Sequence, residues 1–463
     1  MSHFDEQTPT STALRLGLTG LLALAACGYP RPRDIACARQ EDCQAGQTCD
    51  LSTGMCVDPL VDAGTRCALD DECDSHVCQP DGACARTTDV LYVDPAGTSA
   101  GGCTPTSRCE FYYATSKVGS TRSTLQLNNG TYDLISGLKI GVVVHDLTLV
   151  GSRSARVRRS TTGPVLEVSD GGALTVRGIS LDKQVTCSNF AHLNVSRVAF
   201  NNPGAEHTPW ITLSMCSAAS VTDSNLADSP TDGIHAEFGG DLVVTSSTIS
   251  GSATNGISST GQHVTINRST VTNSGDLGIR VSVQMLAVHR SRIISNHGGG
   301  ISGTGGIFDI TNNFIARNGN DNTGEFGGLR LDTSLPGNRV IHNTIDRNDS
   351  NPLANPLYAG GFFCRGGGVF ANNLIVNNFA GSATQPNAQI GGTCDLSGSL
   401  ISNDDTVYRF ISPIALPFDY HLSDRSSQAV NAGTIVPSAE TEDFDGDPRS
   451  DGAPDVGADE FKP

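Results

Sequence analysis

The chain is poor in aromatic residues, at 5%, and poor in positive charge, with 30 Lys and Arg against 48 Asp and Glu. A formal charge of −18 excludes the strongly basic face that nucleic-acid binding requires. Helical periodicity is absent, and so is the fixed leucine frame of a leucine-rich repeat. The apolar run at residues 16–26 is only eleven residues long, where a transmembrane helix takes about 20. Much of the acidity is terminal. Residues 28–90 hold 5 arginines against 12 acids, and residues 440–463 hold 9 acids against 2 bases, so the middle of the chain is close to neutral.

What the middle contains is a repeat. DLVVTSSTIS at 241–250, HVTINRSTVT at 263–272 and LAVHRSRIIS at 286–295 follow one another at about 22 residues. One apolar column runs Ile179, Val198, Leu226, Ile249, Val271, Ile293, Ile315, Ile345, Ile375. A second, five residues earlier, runs Leu174, Leu193, Val221, Val244, Ile266, Val288, Ile310, Val340, Phe370. Between them Arg177 and Ser196 give way to Ser224, Ser247, Ser269, Ser291, Asn313, Asn343 and Asn373. A Gly-apolar pair also recurs: Gly233-Ile234, Gly256-Ile257, Gly278-Ile279, Gly300-Ile301, Gly328-Leu329, Gly361-Phe362.

A coil this short cannot bury a core alone; stacked coils bury a continuous apolar stripe. Strands stacked about 4.8 Å apart put equivalent side chains on top of one another, which turns columns of sequence into columns in space. Ser and Asn columns then form hydrogen-bonded ladders, and each Gly allows a tight bend into the next strand. These features predict an all-β chain, a single-stranded parallel β-helix over residues 90–439. Small disulfide-rich modules precede it at 28–89, and a C-terminal cap follows at 440–463.

The N-terminus reads as an export signal: Arg15, the apolar run, then small residues. Leu24-Ala25-Ala26-Cys27 resembles the lipobox of bacterial lipoproteins. The resemblance implies removal of residues 1–27 up to the lipobox cysteine, acylation of Cys27, and a lipid-anchored protein of the bacterial outer membrane or cell surface. Gly28 follows, not the Asp that favours inner-membrane retention in some bacteria. Cysteine arithmetic agrees, because fifteen is odd and setting Cys27 aside leaves an even number.

A tether at 28–36 leads to two four-cysteine groups, Cys37, Cys43, Cys49, Cys56 and Cys67, Cys73, Cys78, Cys84, each too small for a core without disulfides. They resemble the four-cysteine modules of bacterial surface lipoproteins, and the sequence leaves the pairing within each open. Spacings wider than usual zinc knuckles disfavour a metal there. Cys103 and Cys109 are expected to pair across a local loop. The coil register places Cys187 by Cys216 and Cys364 by Cys394, within disulfide reach on adjacent coils.

LYVDPAGTSAGG, with the later Gly130-Thr131-Tyr132, resembles the opening of pectin-lyase-like β-helix proteins. The segment DYHLSDRSSQAVNAG followed by DFDGDPRSDGAPDVGADEF resembles the closing segment of bacterial right-handed β-helix proteins. The resemblance implies a right-handed solenoid and a ligand on the outward face of the Gly-apolar strand. In the family, lyases place a basic residue there, often with Ca²⁺ held by acids. Arg280 or Arg330 would be that base, and Glu237 and Asp332 the calcium ligands. Those acids are four coils apart, about 19 Å, so they cannot share one ion. The Asn-Thr-Asp, Asp-Asp and Gly-His-Gly set of polygalacturonases is absent. Asp443, Asp445 and Asp447 suggest a calcium loop, but Gly446 is not where an EF-hand needs it. No cofactor or metal is expected.

Alternation puts His235, Glu237, Ser258, Arg280, Ser302, Arg330, Asp332, Phe363 and Arg365 outward. Two lengthened turns, 316–327 and 346–360, rise beside the same strand and carry Asp321, Glu325, Phe326, Asp346, Asp349 and Tyr358. His289, His297 and His342 are read as surface residues. The candidate ligand residues are therefore Arg280, Arg330, Asp332, Phe363 and Arg365. The expected function is polysaccharide binding by a monomer. A polysaccharide lyase, hydrolase or epimerase is the alternative, and a structural stalk or adhesin the second.

Overall fold

The computed structural model describes residues 48–50, 55–57 and 66–462, apart from 142–145, 153, 202–205, 320–325, 352–358, 381–385, 438 and 451. The expected signal sequence, Cys27, the expected tether and most of the first four-cysteine group lie outside the described residues. Of that module the backbone shows Thr48–Asp50 paired antiparallel with Met55–Val57, Cys49 opposite Cys56. The chain divides into a unit ending at Arg66 and a unit beginning at Cys67.

The second unit is a parallel β-solenoid. Among the described residues three parallel sheets run its length, of 12, 12 and 11 strands. The first sheet starts at Val90–Thr98 and ends at Gly368–Ala371; the second runs from Gly130–Leu134 to Leu400–Ser402; the third runs from Leu138–Ile140 to Ile390–Gly392. The predicted columns are its inner wall. Leu226, Ile249, Val271, Ile293, Ile315, Ile345 and Ile375 pair in one register on the second sheet and are fully buried.

Two early rungs need correction. The column continues downward through Phe200 and Leu181, not Val198 and Ile179. On the first sheet it continues through Val195 and Val176, not Leu193 and Leu174. The misplaced residues are also buried and apolar, so composition alone could not separate two positions on one face.

The polar column is a ladder. Ser224, Ser247 and Ser269 each donate a backbone N–H to the hydroxyl one coil on, at 3.1–3.2 Å. Ser291 donates to Asn313, Asn313 to Asn343 and Asn343 to Asn373, at 2.8–3.1 Å. A second ladder runs beside it through Ser274, Asn296, Asn318, Asn348 and Asn378, closed by Gln389. Every buried amide in these stacks meets a partner, as a low-dielectric interior demands.

The recurring glycines have a cause other than the predicted bend. A Cβ on Gly300 would lie 2.3 Å from the carbonyl oxygen of Gly328, and one on Gly361 2.3 Å from that of Gln389. The strand opens where the next coil's backbone passes too close for any side chain.

Three of the expected disulfides form: Cys103–Cys109, Cys187–Cys216 and Cys364–Cys394, with Cα separations of 5.0, 5.5 and 5.8 Å. The register behind the last two is different from the one expected. Cys187 stacks on Leu213 and Cys364 on Gly392, so each bond runs diagonally to a cysteine just past the neighbouring strand. In the second module Cys67 pairs with Cys78 and Cys73 with Cys84. This module is not free-standing. Val77 and Ala85 pack with Val90, Tyr92 and Val150 of the solenoid. Its buried Asp70 meets Arg177 at 3.3 Å and also pairs with Arg197.

The solenoid ends at Ser402, short of the predicted 439, and the rest is not a lid on the last coil. The chain turns back through the antiparallel pair Phe410–Ser412 and Asp419–Leu422. Tyr408, Phe410, Tyr420, Leu422, Val456 and Ala458 then pack on Ile294, Phe314, Ala316, Leu374 and Val376, on the outside of the second sheet. His342 is therefore 2% exposed and not a surface residue. One oxygen of the buried Asp443 carboxylate accepts the backbone N–H of Asp445, Gly446 and Asp447, at 2.7–3.0 Å. Its other oxygen accepts Glu460 N–H at 3.0 Å. The acidic loop that suggested calcium is tied by its own backbone.

Candidate functional site

The third sheet keeps an open outward face over the central coils, as the first sheet does at Asp241, Val243, His263 and Met285. The third sheet's inward residues Ala236, Ser259, Val281, Leu331 and Cys364 are buried, as alternation requires. Its outward column stacks His235, Ser258, Arg280, Ser302, Arg330 and Phe363 in register, one per coil.

A groove of about 480 Å³ lies over this column. Arg280 and Arg330 line it with Ser258 and Ser302, flanked by Asp276, Thr304 and Phe326. The two arginines stand two coils apart, about 10 Å, with Ser302 between them. Arg280 is exposed and forms no ion pair among the described residues. The Arg330 side chain is 21% exposed and lies 3.7 Å from Asp332. Arg365, one coil on, is also 3.7 Å from Asp332. That carboxylate is thus shared by two guanidinium groups.

Of the five residues singled out from sequence, the groove brings together Arg280 and Arg330. Asp332, Phe363 and Arg365 do not line it. Phe363 points outward but is 2% exposed, so no sugar ring can lie on its face. Asp321, Glu325 and Tyr358 fall outside the described residues. Asp346 is not on a loop: it ends the second-sheet strand Thr344–Asp346 and is fully buried. Asp349 begins a short strand, Asp349–Ser350, paired with Phe379–Ala380.

Sequence reasoning passed over Asp276 as a groove residue and put Phe326 on the first lengthened turn beside this strand, outside the candidate ligand set. Phe326 is the last residue of the first enlarged turn to be apolar, and its ring packs beside Gly299, where a Cβ would come within 3.0 Å of it. Asp276 sits two residues before Gly278, at the mouth of a groove strand, and that position was its only signal.

Next to the groove, on the coil before Ser258, is a second polar group. Asp232 accepts hydrogen bonds from Thr254, from the backbone and side-chain nitrogens of Asn255 at 2.9 Å each, and from His235 Nδ1 at 2.9 Å. Burial alone would raise its pKa, but these bonds outweigh burial and hold it down at about 2. His235 Nε2 faces Glu237 at 3.1 Å. The bond to Asp232 raises the imidazole's pKa, against the opposing effect of burial, and Glu237 adds to the rise.

Residues 210–407 match the family model described as the right handed beta helix region. None of the curated proteins matches the chain. Among solved structures, the pectate lyase Pel9A is 15% identical, with 81% of this chain and 96% of that chain covered, at a TM-score of 0.46. The Dettilon tailspike protein gp208 is 14% identical, covering 67% of this chain and 68% of that one, at a TM-score of 0.28. At such identities the likeness concerns the fold. The sheet order, the ladders and the family match agree that the chain is a right-handed parallel β-helix, with disulfide-linked cysteines before and within it.

Proposed function

We propose that the protein is a lipid-anchored surface protein that binds an acidic polysaccharide along the outward face of its third sheet. The observation that carries this reading is the groove in which Arg280 and Arg330 stand two coils apart across Ser302. An extended polymer can follow stacked coils. Guanidinium groups at a regular rise bind carboxylate or sulfate through charge-assisted, bidentate hydrogen bonds.

The test is retention of purified 28–463 in gels cast with polygalacturonate, alginate or a neutral glucan. Retention by the acidic polymers should fall with salt and weaken in the Arg280→Ala/Arg330→Ala variant. Equal retention by the neutral glucan, or by parent and variant, refutes the reading. Anchoring rests on the Leu-Ala-Ala-Cys context. Mass spectrometry should find an acylated Cys27 at the mature N-terminus, and Cys27→Ser should release the protein, because stable anchoring takes more than one acyl chain. An unmodified chain beginning at Met1 would exclude it.

One observation favours an enzyme as second reading. His235 is oriented by Asp232 on the same outward face, the arrangement a general acid or base uses. Release of unsaturated products or reducing ends from the retained polymer, abolished in His235→Ala, would convert the binding protein into a lyase or hydrolase.

A further inference from the structure

Phe190, Met215 and Phe238 occupy one turn on three successive coils, where the third sheet hands over to the first. They follow the strands Val185–Ser188, Ile211–Ser214 and Ile234–Glu237, which pair in register. They are 71%, 43% and 77% exposed. All three adopt left-handed backbone, with φ of 63°, 54° and 48°. That conformation favours glycine or asparagine, and a bulky side chain there is strained. Several other coils meet the same turn with small or polar residues, Asp170-Gly171 below and Thr260-Gly261 or Gly305-Gly306 above, while Val283 on the coil between the last two is buried and Leu335 on the coil beyond is 42% exposed. Strain combined with exposed aromatic surface points to use, because neither contributes to stability.

The turn is also held firmly. Phe190 N–H donates to Met215 C=O at 2.7 Å, Met215 N–H to Glu237 C=O at 3.0 Å, and Ser217 Oγ to Phe190 C=O at 3.0 Å. The Cys187–Cys216 disulfide crosses the same two coils.

We infer that this apolar ladder is a stacking platform for pyranose rings that extends the Arg280–Arg330 groove toward the N-terminal coils. The inference rests on the acidic-glycan reading and gives the ligand a length. Phe190 and Phe238 are two coils apart, about 10 Å. Six strand steps separate the Phe190 coil from the Arg330 coil, about 29 Å. A pyranose unit along a chain is about as long as one coil rise of about 4.8 Å. One polymer of roughly six rings can therefore present charge to the arginines and ring faces to the phenylalanines. His235 and Glu237 lie between the two ends.

The experiment is calorimetric titration with galacturonate and mannuronate oligomers, from dimer to octamer. The parent is compared with Phe190→Asn/Phe238→Asn and with Arg280→Ala. Asparagine tolerates the left-handed turn, so the double variant should melt no lower than the parent. The expected result is that the double variant binds short oligomers as the parent does but loses about tenfold on the longest ones. Phe238→Tyr alone should keep parental affinity. Arg280→Ala should weaken binding at every length. If the double variant matches the parent on octamers while Arg280→Ala does not, the platform is refuted and the groove stands. If neither oligomer series binds the parent, the glycan reading fails and the platform with it. If the parent sediments as a dimer and the double variant as a monomer, the ladder is a self-contact and the inference is overturned.

Discussion

On the second sheet the outward column reads Ile294, Ala316, Asp346, Val376 and Ser402. On the third it reads His235, Ser258, Arg280, Ser302, Arg330 and Phe363. The two columns share the coils that carry Ser302, Arg330 and Phe363, and both stand on the same rigid core. The apolar one is covered by the returning C-terminal segment, while much of the polar one lines a groove. The inner wall is common to both sheets and specifies the fold; the outward residues decide what each face touches. It follows that changes on the covered face should act on stability and changes on the open face on binding.

The largest loss is expected at Arg449, which holds the returning segment in place. Arg449 Nη1 meets Glu460 at 2.9 Å, with side chains 2% and 4% exposed. Its Nη2 donates to Asn312 Oδ1 of the solenoid and to the carbonyls of Gly457 and Ala458, each at 3.0 Å. Arg449→Met leaves Glu460 buried without its cation, which typically costs ~3–5 kcal/mol. Urea unfolding followed by circular dichroism measures it. A change below ~1 kcal/mol would mean that the covered face contributes little and the two faces are alike.

His342 gives the same face a pH dependence. Its ring lies between Asp455 C=O, 3.1 Å from Nδ1, and Asn372, which donates to Nε2 at 3.1 Å. Burial, helped by Arg449, drives its pKa down to about 3. The unfolded imidazole takes up a proton at about pH 6.5 and the folded one does not. This contribution is therefore complete above pH 6.5 and lost as pH falls toward 3, by ~5 kcal/mol. In His342→Gln that part of the acid destabilisation should flatten. A parallel pH–stability curve would remove His342 from the account.

The core was legible and the covering was not. Columns of Ile, Val, Ser and Asn at a constant step are local facts that stacking converts directly into contacts. Leu193 and Leu174 were misplaced because two inward positions on one strand look alike when both are apolar, and Val198 and Ile179 because they are apolar at the turn position where later coils carry the ladder serine. His342 looked like surface because its cover arrives from Asp455, over a hundred residues later, and no period announces such a contact. Phe363 was misjudged in the same way: alternation gives the direction of a side chain, not what lies over it. The arginines of the groove were found because an outward charge on a strand between polar neighbours has no competing use in a wall. The length of the platform was missed because Phe190, Met215 and Phe238 sit in turns, outside the columns from which the register was read.

A gain is expected at Asp346. It is fully buried and both carboxylate oxygens lack a hydrogen bond among the described residues. Arg347 Nε approaches to 3.4 Å but without hydrogen-bond geometry, and Arg347 is already paired with Asp405. Burial, with Asp405 adding to it, raises the Asp346 pKa well above the ordinary carboxylate range. The folded state therefore holds a proton that the unfolded state releases, and stability falls as pH rises from about 3.9 toward the folded pKa. Asp346→Asn should stabilise by ~1–3 kcal/mol, more at pH 8 than at pH 5. Thermal melts at both pH values decide it. A loss at pH 8 would mean that the carboxylate is ionised and held by the arginines around it.

The smallest effect on stability belongs to the open face. Arg280 has no ion pair among the described residues, and Arg365, with its side chain 55% exposed, meets Asp332 only at 3.7 Å. Exposed pairs of this kind contribute ~0–1 kcal/mol, and less in salt. Arg280→Ala should leave the urea midpoint within ~0.5 kcal/mol of the parent while weakening retention by acidic polymers, because the arginine is held ready for a partner outside the protein. Arg365→Ala sharpens the point. Removing it leaves Asp332 to Arg330 alone, so retention should drop if Arg365 keeps that carboxylate from competing for Arg330, and stability should again stay put. If either substitution unfolds the protein as Arg449→Met does, the open face is part of the scaffold and the division between the two sheets fails.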